Sequence, residues 1–271
     1  MAGFQQPPLK YMTDTESNIP HISKRPHAIE EIAGDILAYN NPEYLIDSVS
    51  KLIDTTKTKK SDLERYSRLL SNIRYAWDKT KKYESYFSNF YPPEERISKI
   101  EALNHHIHAY LQDMDTLKNK IETLLDILHG DVVKKVTNKE EVKNFFSRAR
   151  EKVEQSFDGV CKYRRPHTHH GPRFIDGGLL KAENAENFSQ LAKSPVATRF
   201  INQEAITPLL KKLEQEKEEE FEAAKERWIT MARKNNIQTT GLIDMILSAM
   251  KAPLYTFLKI KPMRDLHLNK E

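Results

Sequence analysis

The sequence predicts an all-α fold, and three observations support that prediction. Apolar residues recur at spacings of three and four along most of the chain, which is the period of an amphipathic helix. Only 8 of the 271 residues are glycine and 30% are charged, a composition typical of soluble helical proteins. No stretch of more than four residues alternates convincingly between apolar and polar side chains, so we predict no strand.

The N-terminal part of the chain is predicted to form an arm followed by a pair of helices. Residues 1–27 contain four prolines and little periodicity, and we interpret them as an arm or loop. Residues 28–60 are predicted to form two helices that pack on the rest of the protein. The second of these begins after Asn41-Pro42, because proline suits the first turn of a helix.

The central segment, residues 61–192, is predicted to form an antiparallel helical bundle. Its helices are expected near 61–90, 95–129, 139–160 and 179–192. The residues expected to be buried together in this bundle are Leu70, Ile73, Leu103, Ile107, Met114, Ile121, Phe146 and Val153.

The helix near 95–129 has the clearest pattern in the chain. Its apolar residues, from Ile100 to Leu128, follow one another at alternating spacings of three and four without a break. Such a seam is compatible with a two-chain coiled coil, but the short connection at Pro92-Pro93 favours an antiparallel bundle. Gly130 is predicted to end this helix, and Gly159 the next one.

The last segment, residues 193–271, is predicted to contain a long helix and a tail. The long helix is expected over 199–236, with an end at Asn235-Asn236 and a shorter helix near 242–250. Its glutamate-rich run between residues 214 and 220 is interpreted as a solvated face. We expect this C-terminal helix to be the surface for any protein partner.

Composition narrows the class of protein. The single cysteine, Cys161, excludes an intrachain disulfide and a cysteine-rich zinc module. The N-terminus has no basic region followed by an apolar run, and no apolar run approaches the roughly 20 residues that span a bilayer. We therefore predict a cytoplasmic protein without a membrane segment. The net charge of +4 is only weak evidence for a polyanionic partner.

A dense cluster of basic side chains between residues 164 and 176, here called the Arg/His segment, is the strongest candidate for a site. It holds three arginines (Arg164, Arg165, Arg173), three histidines (His167, His169, His170) and Asp176. Arginine is a fixed cation suited to phosphate, and histidine exchanges protons near neutral pH. The segment therefore indicates phosphate binding combined with acid–base chemistry.

The spacing of this segment resembles the HEPN superfamily of helical bundles. Arg164 with His169, and Arg165 with His170, both fit that family's Arg-x4-6-His motif, and the resemblance covers roughly residues 61–192. It implies a homodimer whose motifs share one cleft, and RNA cleavage without metal or cofactor, of a kind found in defence or toxin systems. The implied roles are catalytic for these four residues and substrate-binding for His167 and Arg173.

Other interpretations of the same residues remain open. The segment is also compatible with a basic loop that caps helix ends and pairs with the acidic run. His167, His169 and Asp176 could supply three ligands to a metal, although the neighbouring arginines would repel a divalent cation. A different class altogether is a non-catalytic interaction or scaffold protein that docks a partner through its apolar seams.

A second polar group lies on the helix near 95–129. Glu101, His105, His108 and Gln112 are spaced by four, three and four residues, so they share one face, and Asp113 lies beside them. A solvent-facing stripe explains this pattern. The alternative is that His105, His108 and Asp113 support the Arg/His segment by orienting its side chains.

Overall fold

A computed structural model describes residues 27–44, 56–91, 97–168, 176–194 and 203–266, with the backbone alone described at residues 44, 161, 163–168, 203, 205 and 266. Within these ranges the chain forms helices and no strand, so the predicted all-α class is confirmed. The helices are α1 (Ala28–Asn40), a 3-10 turn (Pro42–Tyr44), α2 (Lys60–Lys81), α3 (Tyr83–Asn89), α4 (Lys99–Val133), α5 (Lys139–Thr168), α6 (Gly177–Ala192), α7 (Gln203–Leu258) and α8 (Met263–Leu266).

Two glycines that were predicted to end helices lie inside them. Helix α4 continues past Gly130 because the following turn is held by tertiary contacts: the Asp131 carboxylate accepts a hydrogen bond of 2.9 Å from the Tyr66 hydroxyl, and Val132 is buried. Helix α5 likewise continues past Gly159, and Val160 is buried. Packing therefore decides these helix ends, and glycine costs each helix only about 1 kcal/mol.

The predicted break at Asn235-Asn236 is also wrong, since α7 runs from Gln203 to Leu258 as one helix. Asn235 is buried, and its side-chain amide donates to the Tyr110 hydroxyl at 2.9 Å. An asparagine that finds a side-chain partner no longer competes for the helix backbone, which removes the usual reason for it to end a helix. The second helix of the predicted N-terminal pair lies mostly outside the described residues.

The described residues divide into two compact units, each assembled from separate parts of the chain. Unit 1 comprises the described parts of Met1–Asp78, Met114–Cys161 and Ile237–Glu271, and unit 2 those of Lys79–Asp113 and Lys162–Asn236. The segment boundaries that the sequence suggested at 61 and 192 stay a prediction.

Unit 1 holds α1 against the C-terminal part of α7 through polar contacts at helix ends and in the interior. The Ala28 amide, which begins α1, donates to the Asp244 carboxylate at 2.8 Å. The buried carboxylate of Asp35 accepts hydrogen bonds from the Tyr255 hydroxyl and, at 3.0 Å, from the Met263 amide. Burial, followed by the hydrogen bond to Asp35, raises the pKa of Tyr255 well above its ordinary value, so this hydroxyl is a permanent donor.

Unit 2 has an aromatic core. The rings of Tyr83, Phe87, Tyr110 and Trp228 pack with centroid separations between 5.2 and 6.4 Å, in tilted or edge-to-face arrangements. Aromatic pairs at such separations each contribute about 0.5–1.5 kcal/mol beyond the area they bury. This core joins α3, α4 and the N-terminal part of α7.

The residues predicted to form the core are all buried, which confirms that part of the expectation. Each of the eight is 2% exposed or less: Leu70, Ile73, Leu103, Ile107, Met114, Ile121, Phe146 and Val153. Their packing as a single HEPN-like bundle stays a prediction.

Among the described residues, one helical stretch has the length and composition of a membrane span. An 18-residue window within Ile206–Leu258 reaches a mean hydropathy of 1.2, and 50% of that window is buried inside the protein. The C-terminal part of this helix bonds within unit 1, as the Asp244 contact shows. A core helix of a globular protein meets the same criterion, so the window is weak evidence for a span.

Candidate functional site

The Arg/His segment begins within a helix. Helix α5 continues through Arg164, Arg165, Pro166 and His167 to Thr168, so the backbone of the first arginines is helical. The side chains of these residues, and the whole of His169, His170 and Arg173, lie outside the described residues. The convergence of the predicted catalytic and substrate-binding side chains in one site therefore stays a prediction.

The other end of the segment is fixed by Asp176, a buried carboxylate that is only 6% exposed. Asp176 is the N-cap of α6, and its Oδ1 accepts hydrogen bonds from the amides of Gly178 at 2.9 Å and Leu179 at 3.2 Å. Two side chains of α7 also donate to it: Arg227 to Oδ1 at 2.9 Å and Trp228 Nε1 to Oδ2 at 3.0 Å. The residue that ends the Arg/His segment is thus tied to two helices of unit 2.

The network leaves no room for a Cβ atom at position 178 unless the Arg227 side chain moves. A Cβ atom placed on Gly178 would lie 2.5 Å from Arg227 Nη2, closer than real contacts allow. Asp176 therefore caps α6, and the lack of a side chain at Gly178 leaves space for the Arg227 guanidinium beside the N-terminus of that helix. Since the Asp176 carboxylate already occupies that N-terminus, the end of α6 has no free anion site.

The same contacts argue against Asp176 as a metal ligand. Both of its oxygens accept hydrogen bonds, and an arginine neutralises its charge. In the part of the chain that the structure describes, no group of three or more His, Cys, Asp or Glu side chains has metal-binding geometry.

The residues of the polar stripe on α4 differ in their exposure to solvent. His105 is exposed, His108 is half-buried and Asp113 is buried. The Asp113 carboxylate accepts a hydrogen bond from Lys79 Nζ at 2.8 Å and one from the Tyr83 hydroxyl at 2.6 Å. Burial, followed by the hydrogen bond to Asp113, raises the pKa of Tyr83 well above its ordinary value. Asp113 therefore ties the C-terminal end of α2 to α3 and α4 within unit 2. Its predicted support of the Arg/His segment stays a prediction.

Sequence reasoning missed His106, which is the centre of an aromatic patch in unit 2. Its Nε2 lies 2.7 Å from the Phe90 carbonyl oxygen. The imidazole contacts the rings of Tyr86, Phe90 and Tyr91, with centroid distances of 6.1, 5.8 and 6.3 Å. Phe90 is 65% exposed, so the patch presents an aromatic surface to solvent. The adjacent histidines at positions 105 and 106 were the sequence feature that could have indicated this patch.

A second missed cluster lies in unit 1 between α4 and α5. Arg150 donates through Nε to Asp126 at 2.7 Å, and its Nη2 lies 3.2 Å from Nδ1 of His129, whose ring packs 5.0 Å from Phe146. Burial, followed by the positive charge of Arg150, lowers the pKa of His129. The imidazole is therefore neutral at neutral pH. His129 and Asp126 lie 21 and 24 positions before Arg150, so no local sequence pattern joins them.

Comparison with known proteins assigns no family to the chain. No protein-family model, no curated protein and no solved structure matches it. We therefore infer the function from the residues of this chain.

Proposed function

We propose that the protein binds RNA or nucleotide phosphates through the Arg/His segment and, as a HEPN-like enzyme, cleaves RNA there without metal. The observation that supports this proposal most is the way the segment is held. It begins on the helical backbone of α5, which ends at Thr168, and finishes at Asp176, which is buried and fixed by four donors. The bonds to Asp176 restrain the C-terminal end of the segment, which lowers the entropic cost of presenting its cations to a ligand.

The chemistry follows from the residue types. Arg164 and Arg165 would offset the charge of the scissile phosphate through bidentate hydrogen bonds. His169 or His170 would take the proton from the ribose 2′-hydroxyl or give one to the leaving oxygen, because imidazole titrates near neutral pH. In the HEPN arrangement a second protomer would complete the cleft.

The binding part is tested by the salt dependence of affinity for a fluorescein-labelled single-stranded RNA, measured by anisotropy. Removing two phosphate contacts with R164A/R165A should lower the magnitude of the slope of log K against log salt by about 1.4, at roughly 0.7 per contact. The matched control, K211A/K212A, removes two exposed positive charges from α7 and should leave the slope unchanged. Equal slopes for wild type and R164A/R165A would refute phosphate binding by the segment.

The alternative function, a non-catalytic interaction protein, is favoured by a different observation. Unit 1 carries an open groove of about 740 Å³ that is lined by both apolar and charged side chains of α5 and α7. Grooves of this kind bind amphipathic helices in many complexes. A protein that binds no RNA but buries this groove in an assembly would fit the alternative.

A further inference from the structure

The groove of unit 1 lies between the N-terminal part of α5 and the C-terminal part of α7. Ile246 and Met250 are its buried lining, whereas Phe145 and Met245 line it with 39% and 44% of their surface exposed. Large apolar side chains exposed together along a groove are typical of an interaction surface rather than of a solvated face. These side chains make the groove a candidate docking surface.

The charges that line the groove are sorted by sign along α5. Glu140 and Glu141 lie at its start, and Arg148 and Lys152 lie two to three turns later. All four side chains are exposed. Among the residues that the structure describes, Glu140, Arg148 and Lys152 form no ion pair, and Glu141 accepts a hydrogen bond only from Asn138, at 2.9 Å. An occupant of the groove should therefore offer positive charge at one end and negative charge at the other.

We propose that this occupant is a second copy of the chain, in a two-fold dimer whose α5 helices run antiparallel across the groove. Reversing the direction of one helix brings Glu140 and Glu141 of each copy opposite Arg148 and Lys152 of the other, so the surface is complementary to itself. A parallel arrangement would place like charges together. This proposal depends on unit 1 alone and is independent of the Arg/His segment.

The spacing of the charges supports a single two-fold axis. The midpoint between Glu141 and Arg148 and the midpoint between Glu140 and Lys152 both fall within about one residue of Phe145. Since a helix rises about 1.5 Å per residue, the two midpoints lie within roughly 2 Å of each other along α5, so one two-fold axis can serve both pairs. Phe145 of each copy then lies at the centre of the interface, where an aromatic anchor contributes most to affinity.

The first test is the mass of the full chain by light scattering. Wild type should form a dimer, twice the 31.6 kDa of one chain. F145D should raise the dimer dissociation constant at least about tenfold, because it places a charge at the centre of the interface. The matched control is L37D, since Leu37 is also in unit 1 and is 59% exposed but does not line the groove, and it should leave the dimer intact.

The second test fixes the orientation and does not depend on the folding of a single variant. E140K/E141K makes all four charges of α5 that line the groove positive, and R148E/K152E makes all four negative. Each variant alone should therefore be monomeric. An equimolar mixture of the two should form a heterodimer. A monomeric wild type at about 100 µM, or charge variants that dimerise like wild type, or a mixture that does not associate, would each overturn the proposal. The circular dichroism spectra of both charge variants should match that of wild type, since the substitutions are exposed.

Discussion

Replacing Asp176 with alanine should destabilise unit 2 by about 1.5–5 kcal/mol. Loss of the N-cap bonds to the Gly178 and Leu179 amides costs about 0.5–2 kcal/mol. Leaving the buried Trp228 N–H without its acceptor costs about 1–3 kcal/mol more. The ion pair with Arg227 adds little, because more than a third of that arginine side chain is in contact with solvent.

The assay is urea unfolding followed by far-ultraviolet circular dichroism, with the free energy of unfolding extrapolated to water. D176N is the matched control, because asparagine remains a good N-cap while the carboxylate charge is lost, and its destabilisation should be smaller than that of D176A. If D176A changes the free energy of unfolding by less than about 1 kcal/mol, the described network does not hold the end of the Arg/His segment.

A double-mutant cycle isolates the hydrogen bond between Asp176 and Trp228. W228F alone leaves the Oδ2 atom without that donor, and in the D176A background it should cost less, since the partner is already gone. We expect a coupling energy of about 1 kcal/mol or more. Additive effects of the two substitutions would contradict the bond.

Three further predictions concern stability. I107A and I121A should each cost about 2–5 kcal/mol in urea unfolding, because both isoleucines are buried in a packed interior, and a cost near zero would contradict their burial. G178A should cost less than about 1 kcal/mol, because the Arg227 guanidinium that it meets is the end of a flexible, partly exposed side chain and can move aside, and R227A should remove that cost; a cost above about 2 kcal/mol that R227A leaves unchanged would contradict the contact. Because the pKa of His129 is lowered in the folded protein, protonation favours unfolding, so the free energy of unfolding should fall as pH drops through about 6.5. H129N should show a shallower fall over the same pH range, and identical pH profiles would contradict the lowered pKa.

Local patterns predicted the helices well and their ends poorly. The unbroken three-and-four spacing of α4 predicted both the helix and its buried face, since burial follows directly from periodicity. The helix ends at Gly130 and Asn235 were wrong because partners distant in sequence decide them. Asn235 bonds to Tyr110, which is 125 residues away, and no local rule contains that information.

The same limit applies to the candidate site. The density of arginine and histidine near residue 170 is visible in the sequence. The donors that complete the Asp176 network come from α7, 51 and 52 residues later, and only the fold brings them together. The arrangement of Arg150 and His129 is tertiary in the same way.

We propose that the Arg/His segment cleaves RNA by acid–base chemistry, and cleavage in EDTA is the most direct test of that proposal. The measurement is the single-turnover rate on a labelled RNA, for wild type and H169A/H170A, with a fully 2′-O-methylated RNA as the control substrate. We expect wild type to cut the unmodified RNA in EDTA and not the methylated one, and we expect H169A/H170A to lower the rate by about 10²–10⁴-fold while RNA binding persists. A double variant that cuts as fast as wild type, or a pure wild-type protein that cuts no RNA, would contradict it.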